Sequence, residues 1–162
     1  MYILHPDTGE FTQVKYSGAG QPPTPRRGMS LAYDGHDLII CFGGTTLSGI
    51  DNSLTAFSIT RNEWFSPSQM GPVPSARSDH TAVNLSPQRL LLFGGCNAQN
   101  VFFQDTYMLD TRTFTWHRPQ HLNTPPAPRN HHTCCLVGNR ILLFGGISSK
   151  QTFDGVVIPE SK

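Results

Sequence analysis

One string is written three times in this chain of 162 residues. A short apolar run closes on a glycine pair at Leu38-Ile-Ile-Cys-Phe-Gly-Gly44, at Arg89-Leu-Leu-Leu-Phe-Gly-Gly95 and at Arg140-Ile-Leu-Leu-Phe-Gly-Gly146. Gly43, Gly94 and Gly145 lead these doublets at intervals of 51 residues, with Gly44, Gly95 and Gly146 behind them. A fixed period of that size restricts the fold to one supersecondary unit stacked against copies of itself. Each doublet is preceded, by 17, 17 and 16 residues, by an arginine in a Pro-containing stretch: Arg26, Arg77 and Arg129. Trp64 and Trp116 follow the first two doublets, and Phe11 takes the matching place near the start, six residues after His5 as Trp116 follows Asp110.

Each unit divides into short strand-like runs. Ser30 to Tyr33, Thr81 to Leu85 and Thr133 to Val137 form a first run. Turn signals follow at Asp34-Gly35, Ser86-Pro87 and Gly138-Asn139, and then the apolar run that ends in glycine, which together predict a tight hairpin. Leu54 to Ile59 and Thr106 to Leu109 give a third run, and the tryptophans mark a fourth. Second strands that are apolar throughout are expected to be buried on both faces, as inside stacked sheets. The fold class read from this pattern is all-β.

Composition narrows the function. Charged residues are 14% and the net charge is +1, which disfavours an electrostatic nucleic-acid or membrane binder. The longest apolar run, Leu38 to Phe42, is far short of the roughly 20 residues of a membrane helix. The opening Met1-Tyr-Ile-Leu-His-Pro-Asp7 lacks the layout of a secretory signal. Cys41, Cys96, Cys134 and Cys135 have no CxxC spacing, so free thiols in a reducing compartment, the cytosol or nucleus, are expected.

These residues together resemble kelch repeats, each about 50 residues and one four-stranded blade of a β-propeller. The likeness covers nearly the whole chain. In that family the glycine doublet ends the second strand, an arginine opens the first, a tyrosine (here Tyr107 and Tyr2) lies on the third and a tryptophan on the fourth. Thr55 departs from the tyrosine, Met29 from the histidine seen at His80 and His132, and Phe11 from the tryptophan. The Pro-x-Pro-Arg-x-x-His form resembles kelch proteins of tandem repeats more than the BTB-kelch ubiquitin-ligase adaptors. The resemblance implies a partial propeller of about three blades: the end of a preceding blade in 1–15, blades at 26–67 and 77–119, and an incomplete blade at 129–162, with Asp154 to Ile158 as its candidate third strand. Closing the ring then calls for missing sequence, self-association or another chain, because three blades alone would pack the centre poorly.

Roles for the motif residues follow from their chemistry. Two glycines at a strand end allow backbone to approach backbone closely. Trp64 and Trp116 suit the contact between adjacent blades, and the forked guanidinium of Arg26, Arg77 or Arg129 can join loop carbonyls to a carboxylate. His131-His132 and Cys134-Cys135 place His132 and Cys134 on one strand face and their neighbours on the other, so four metal ligands do not converge and no metal or cofactor is expected. No Gly-x-Ser-x-Gly, P-loop or dinucleotide fingerprint appears in the sequence. What remains is a surface built by the long loops Thr45 to Ser53, Cys96 to Gln104 and Ile147 to Thr152. Phe102 and Phe103 are candidate partner contacts, or else fold back to cap the blade; Asn97 and Gln99 would give polar direction, and Ile50 is a weaker candidate. The reading is a non-catalytic scaffold that binds another protein, with a propeller belonging to a larger enzyme as the alternative.

Overall fold

A computed structural model describes residues 1–17, 20–121, 123–148, 152–153 and 156–157. Every regular element among them is a strand. In order these are β1 (Tyr2–His5), β2 (Glu10–Gln13), β3 (Ser30–Tyr33), β4 (Leu38–Phe42), β5 (Thr45–Thr46), β6 (Gly49–Ile50), β7 (Leu54–Ser58), β8 (Glu63–Phe65), β9 (Thr81–Ser86), β10 (Arg89–Phe93), β11 (Thr106–Asp110), β12 (Thr115–His117), β13 (Arg129–Val137), β14 (Arg140–Ser148), β15 (Thr152–Phe153) and β16 (Val156–Val157). Two antiparallel four-stranded sheets, β3-β4-β7-β8 and β9-β10-β11-β12, form the two full blades. β13 and β14 make a third hairpin, β1 and β2 a separate one, and β5 and β6 a small ribbon within the first long loop.

The repeat in sequence is a repeat in register. Cys41 sits between Leu31 and Thr55, and Leu92, its counterpart one period later, sits between Ala82 and Tyr107. One apolar cluster joins the blades: Ala32, Ile40, Phe42, Leu54 and Ala56 from the first, and Leu90, Leu92, Tyr107, Leu109 and Trp116 from the second. Trp116 meets the ring of Phe42 edge-on at 5.0 Å, and its Nε1 donates to Gln69 Oε1 at 2.8 Å. A tryptophan on one blade thus packs against the glycine-ended strand of the blade before it. Removing such a ring costs about 3–5 kcal/mol.

At the tight-turn end a buried carboxylate fastens the two blades. Asp34 Oδ1 accepts from the backbone amides of His36, Asp37 and Leu38, and Thr111 of the second blade donates its hydroxyl to Asp34 Oδ2 at 2.7 Å. Burial alone would raise this carboxyl's pKa, but these four donors outweigh it and hold it below the usual value.

Two expectations need correction. Burial of the second strand is found in β4 and β10 but not in β14, where Phe144 is 82% exposed while Phe42 and Phe93 at the same place are 2% and 5% exposed. The reason is that, among the described residues, no third strand pairs with β14 and no sheet lies over that face. The candidate third strand, Asp154 to Ile158, falls largely outside the described residues. Asp154, Gly155 and Ile158 lie outside the described residues, and Val156 and Val157 pair with Thr152 and Phe153 instead of β14. In addition, β13 begins at Arg129 rather than Thr133, and β14 runs through its glycine doublet to Ser148.

Candidate functional site

The motif arginines turn inward and brace the loops. Arg77, fully buried, donates through Nη1 to the Gly94 carbonyl at 3.0 Å and to Asp105 Oδ1 at 2.6 Å, and through Nη2 to Asp105 Oδ2 at 3.1 Å. Its Nε reaches the Ser75 carbonyl, and the rings of Phe103 and Tyr107 lie 4.2 and 5.4 Å from the guanidinium. This is the bidentate fork with aromatic cover that lysine cannot reproduce. Arg26 repeats the scheme with the Gly43 carbonyl, Asp51 and Ser53, and Arg129 donates to the carbonyls of Gly145 and Ala127. Each arginine therefore ties its connector to the glycine doublet, and in the first two units to the far end of the long loop as well.

The three residues after each arginine serve three different surroundings. The first, Arg27 or Ser78, exchanges both backbone bonds with the residue after the doublet, Thr45 or Cys96, at 2.8–3.0 Å. Asn130 pairs with Ile147 in the same way of reckoning. The second, Gly28, Asp79 or His131, has left-handed φ of 66°, 58° and 53°. That region is open to glycine and enriched in Asp and His among the rest. Asp79 N donates to the Gly28 carbonyl at 2.7 Å and His131 N to the Asp79 carbonyl at 3.0 Å, so these residues form a staircase from blade to blade. The third residue faces the interior. His80 Nε2 lies 2.9 Å from Ser30 Oγ, and His132 Nε2 lies 2.9 Å from Thr81 Oγ1, each linking to the residue that opens the previous blade. Burial, then the charges of Arg77 and Arg129, lower their pKa values to about 3 and about 4. Met29 in the same place accepts from the Cys41 thiol.

His132 and Cys134 do share a side, since both meet the Thr81 hydroxyl.

The staircase and the long loops enclose a groove of about 440 Å³. Arg27, Asp79, Asn130 and His131 line it, together with Thr45, Gly49 and Ile50 of the β5–β6 ribbon and residues 96–98 and 100. Both signs of charge are present. His131 Nδ1 lies 3.5 Å from Asp79 Oδ1, and Ser78 Oγ donates to Asp79 Oδ2 at 2.8 Å. Asn130 is buried; its Nδ2 donates to Cys96 Sγ at 3.4 Å, while its Oδ1 meets no hydrogen-bond partner among the described residues. A recess with fixed polar groups on a rigid backbone can orient a polar ligand.

Of the residues singled out from sequence, the structure brings Ile50 and Asn97 to this groove. Asn97 Oδ1 accepts from the amides of Gln99 and Val101, so it shapes its own loop, and Gln99 stands exposed at the tip. Phe102 and Phe103 are half-buried and do not line the groove; Phe103 lies over Arg77, and Val101 is the exposed member of the trio. Sequence reasoning missed Arg27, Asp79, Asn130 and His131. No residue-type signal marks them, because Asp79 and His131 leave the extended backbone for left-handed φ, and strand alternation would send positions one and two after the arginine to opposite faces.

Residues 36–160 match the family model described as the KLHDC2/KLHL20/DRC7 Kelch-repeats domain. The chain is similar to the human Rab9 effector protein with kelch motifs, at 32% identity over 120 residues, covering 73% of this chain and 32% of that protein. It is also similar to Acyl-CoA-binding domain-containing protein 4 of Arabidopsis thaliana, at 32% identity with 92% of this chain and 22% of the relative covered. Human Host cell factor 2 is 31% identical over 147 residues, 79% of this chain and 18% of its own length. The chain thus spans about a third or less of these relatives. With its repeated arginines, glycine doublets and four-stranded blades, the chain belongs to the kelch-repeat family.

Proposed function

We propose that this chain is a non-catalytic recognition module that holds a segment of a partner protein in the groove on its long-loop face. The observation that carries the reading is the staircase of Gly28, Asp79 and His131. Backbone bonds between blades hold it fixed, and it presents a different side chain from each repeat beside Arg27 and Asn130. Rigid strands that present variable positions at loops are a usual platform for binding. The named role of one relative as a Rab9 effector supports a protein partner for this chain too. Four free cysteines fit work in the cytosol or nucleus.

The test is selection from a random linear-peptide library displayed on phage. Enriched peptides should lose binding to Asp79→Asn and to Arg27→Glu, and keep it with Arg112→Glu on the opposite end. Peptides indifferent to both groove substitutions would show that the partner lies elsewhere.

A further inference from the structure

Four hydroxyl residues stand directly before a proline: Thr24, Ser66, Ser86 and Thr124. Thr24 and Ser86 also have an arginine three places on, Arg27 and Arg89, whereas Gln69 and Ala127 hold that place after the other two. A hydroxyl followed by proline, with a cation at the third place, is the pattern read by proline-directed protein kinases. The fold treats the two matching strings differently. Ser86 ends β9 and pairs with Arg89 across a tight hairpin, with Gln88 at a φ of 65°. That string is folded back on itself, so a kinase cleft that takes an extended segment cannot receive it unless the hairpin opens. Thr24 lies on the connector ahead of β3, where residues 21–24 belong to no strand or turn, and the proline after it favours extended backbone. Thr24, Pro25 and Arg27 are all exposed.

The Thr24 hydroxyl also touches the arginine that braces the first long loop. Arg26 donates through Nη2 to Thr24 Oγ1 at 2.9 Å, and through Nη1 to Asp51 Oδ1 at 3.1 Å and Ser53 Oγ at 2.8 Å. Two places before the motif arginine, the second unit has Ser75, which offers Arg77 its backbone carbonyl, and the third has Ala127, which offers Arg129 the same. We infer that Thr24 is a phosphorylation site, and that a phosphate there competes with Asp51 for Arg26 and loosens the loop from Thr45 to Ser53. In the transfer, Thr24 Oγ1 bonds to the γ-phosphorus of ATP as the bond to ADP breaks, and the hydroxyl proton passes to the kinase's base. The product places a charge of about −1.5 to −2 and three acceptor oxygens beside Nη2, against one carboxylate at Nη1. The Asp51 amide, bonded to the Gly44 carbonyl at 3.1 Å, and the Ser53 amide, bonded to Asp51 Oδ1 at 3.3 Å, report the opening of the loop. Thr45, Gly49 and Ile50 of this loop line the groove, so the modification alters binding there as well; that consequence alone rests on the proposed function.

The full chain and two synthetic peptides, residues 20–30 and 82–92, are incubated with a proline-directed kinase of this preference and MgATP, and phosphate is located by mass spectrometry. Both peptides should be labelled. In the folded chain Thr24 should be labelled at about the rate of its peptide, and Ser86 about tenfold or more slower than its own, since its hairpin must open first. Deuterium exchange at Asp51 and Ser53 should then quicken by roughly tenfold, and Thr24→Val should prevent both the labelling and the quickening. Neither readout involves a groove ligand. A 20–30 peptide left unlabelled, or a folded chain unlabelled at Thr24, would remove the site. Exchange that is unchanged or slower after full labelling would show that Arg26 stays with Asp51, and would overturn the release of the loop.

Discussion

Alanine at the leading glycine of each doublet separates two costs that the three copies combine differently. Gly43, Gly94 and Gly145 all have left-handed φ, 62°, 66° and 72°, so each substitution carries the same backbone penalty of about 1–2 kcal/mol. Their surroundings differ. A Cβ on Gly43 would lie 2.6 Å from the Arg77 carbonyl, and one on Gly94 would lie 2.7 Å from the Arg129 carbonyl and 2.8 Å from His132 Cε1. Both carbonyls belong to the next blade, and each accepts a bond from the second glycine of the doublet at 2.9 Å. Relieving the overlap means moving backbone, an overpacking cost of about 1–3 kcal/mol. Around Gly145 nothing among the described residues lies within 4 Å. Gly43→Ala and Gly94→Ala should therefore lose about 2–5 kcal/mol in urea unfolding followed by tryptophan fluorescence, and Gly145→Ala about 1–2. Equal losses at all three sites would refute the reasoning, since blade-to-blade contact would then have no part in the cost.

Two further outcomes follow from buried groups. His80 and His132 have folded pKa values of about 3 and about 4, below the unfolded value near 6.5, so the unfolded chain binds more protons between those limits and stability falls as pH drops through 6.5. At pH 5 each costs about 2 kcal/mol relative to neutral pH, and His80→Gln should flatten that part of the stability profile by about half. Arg77→Met leaves Asp105 without its fork and should cost about 3–5 kcal/mol, whereas Arg112→Met, at an exposed site, should stay within about 0.5 kcal/mol by thermal denaturation.

Much of the fold was legible because its signals are side-chain signals. The doublets fixed the period, and the apolar runs gave strands whose ends fall within a residue or so of those found, as with Leu54 to Ile59 against β7. The tryptophan contact followed from its size, and the arginine fork from its geometry. Other features are written in the main chain and leave little trace in residue type. The early start of β13 rests on pairing of Arg129 with Ser148 and Asn130 with Ile147, which no apolar alternation marks. The left-handed turns at Asp79 and His131 look like ordinary polar residues in sequence. For that reason the groove's wall was overlooked, while attention went to Phe102 and Phe103, whose apolarity is explained by Arg77 for the second of them.

Three repeats already show how loosely the staircase constrains its own chemistry. One geometric place holds a hydrogen in the first copy, a carboxylate in the second and an imidazole in the third, while the carbonyl-to-amide links beneath remain alike. Scaffold and vocabulary are thereby uncoupled: new partners can be addressed by rewriting side chains on a constant frame. The alphabet for that rewriting is short, limited to residue types that tolerate left-handed backbone.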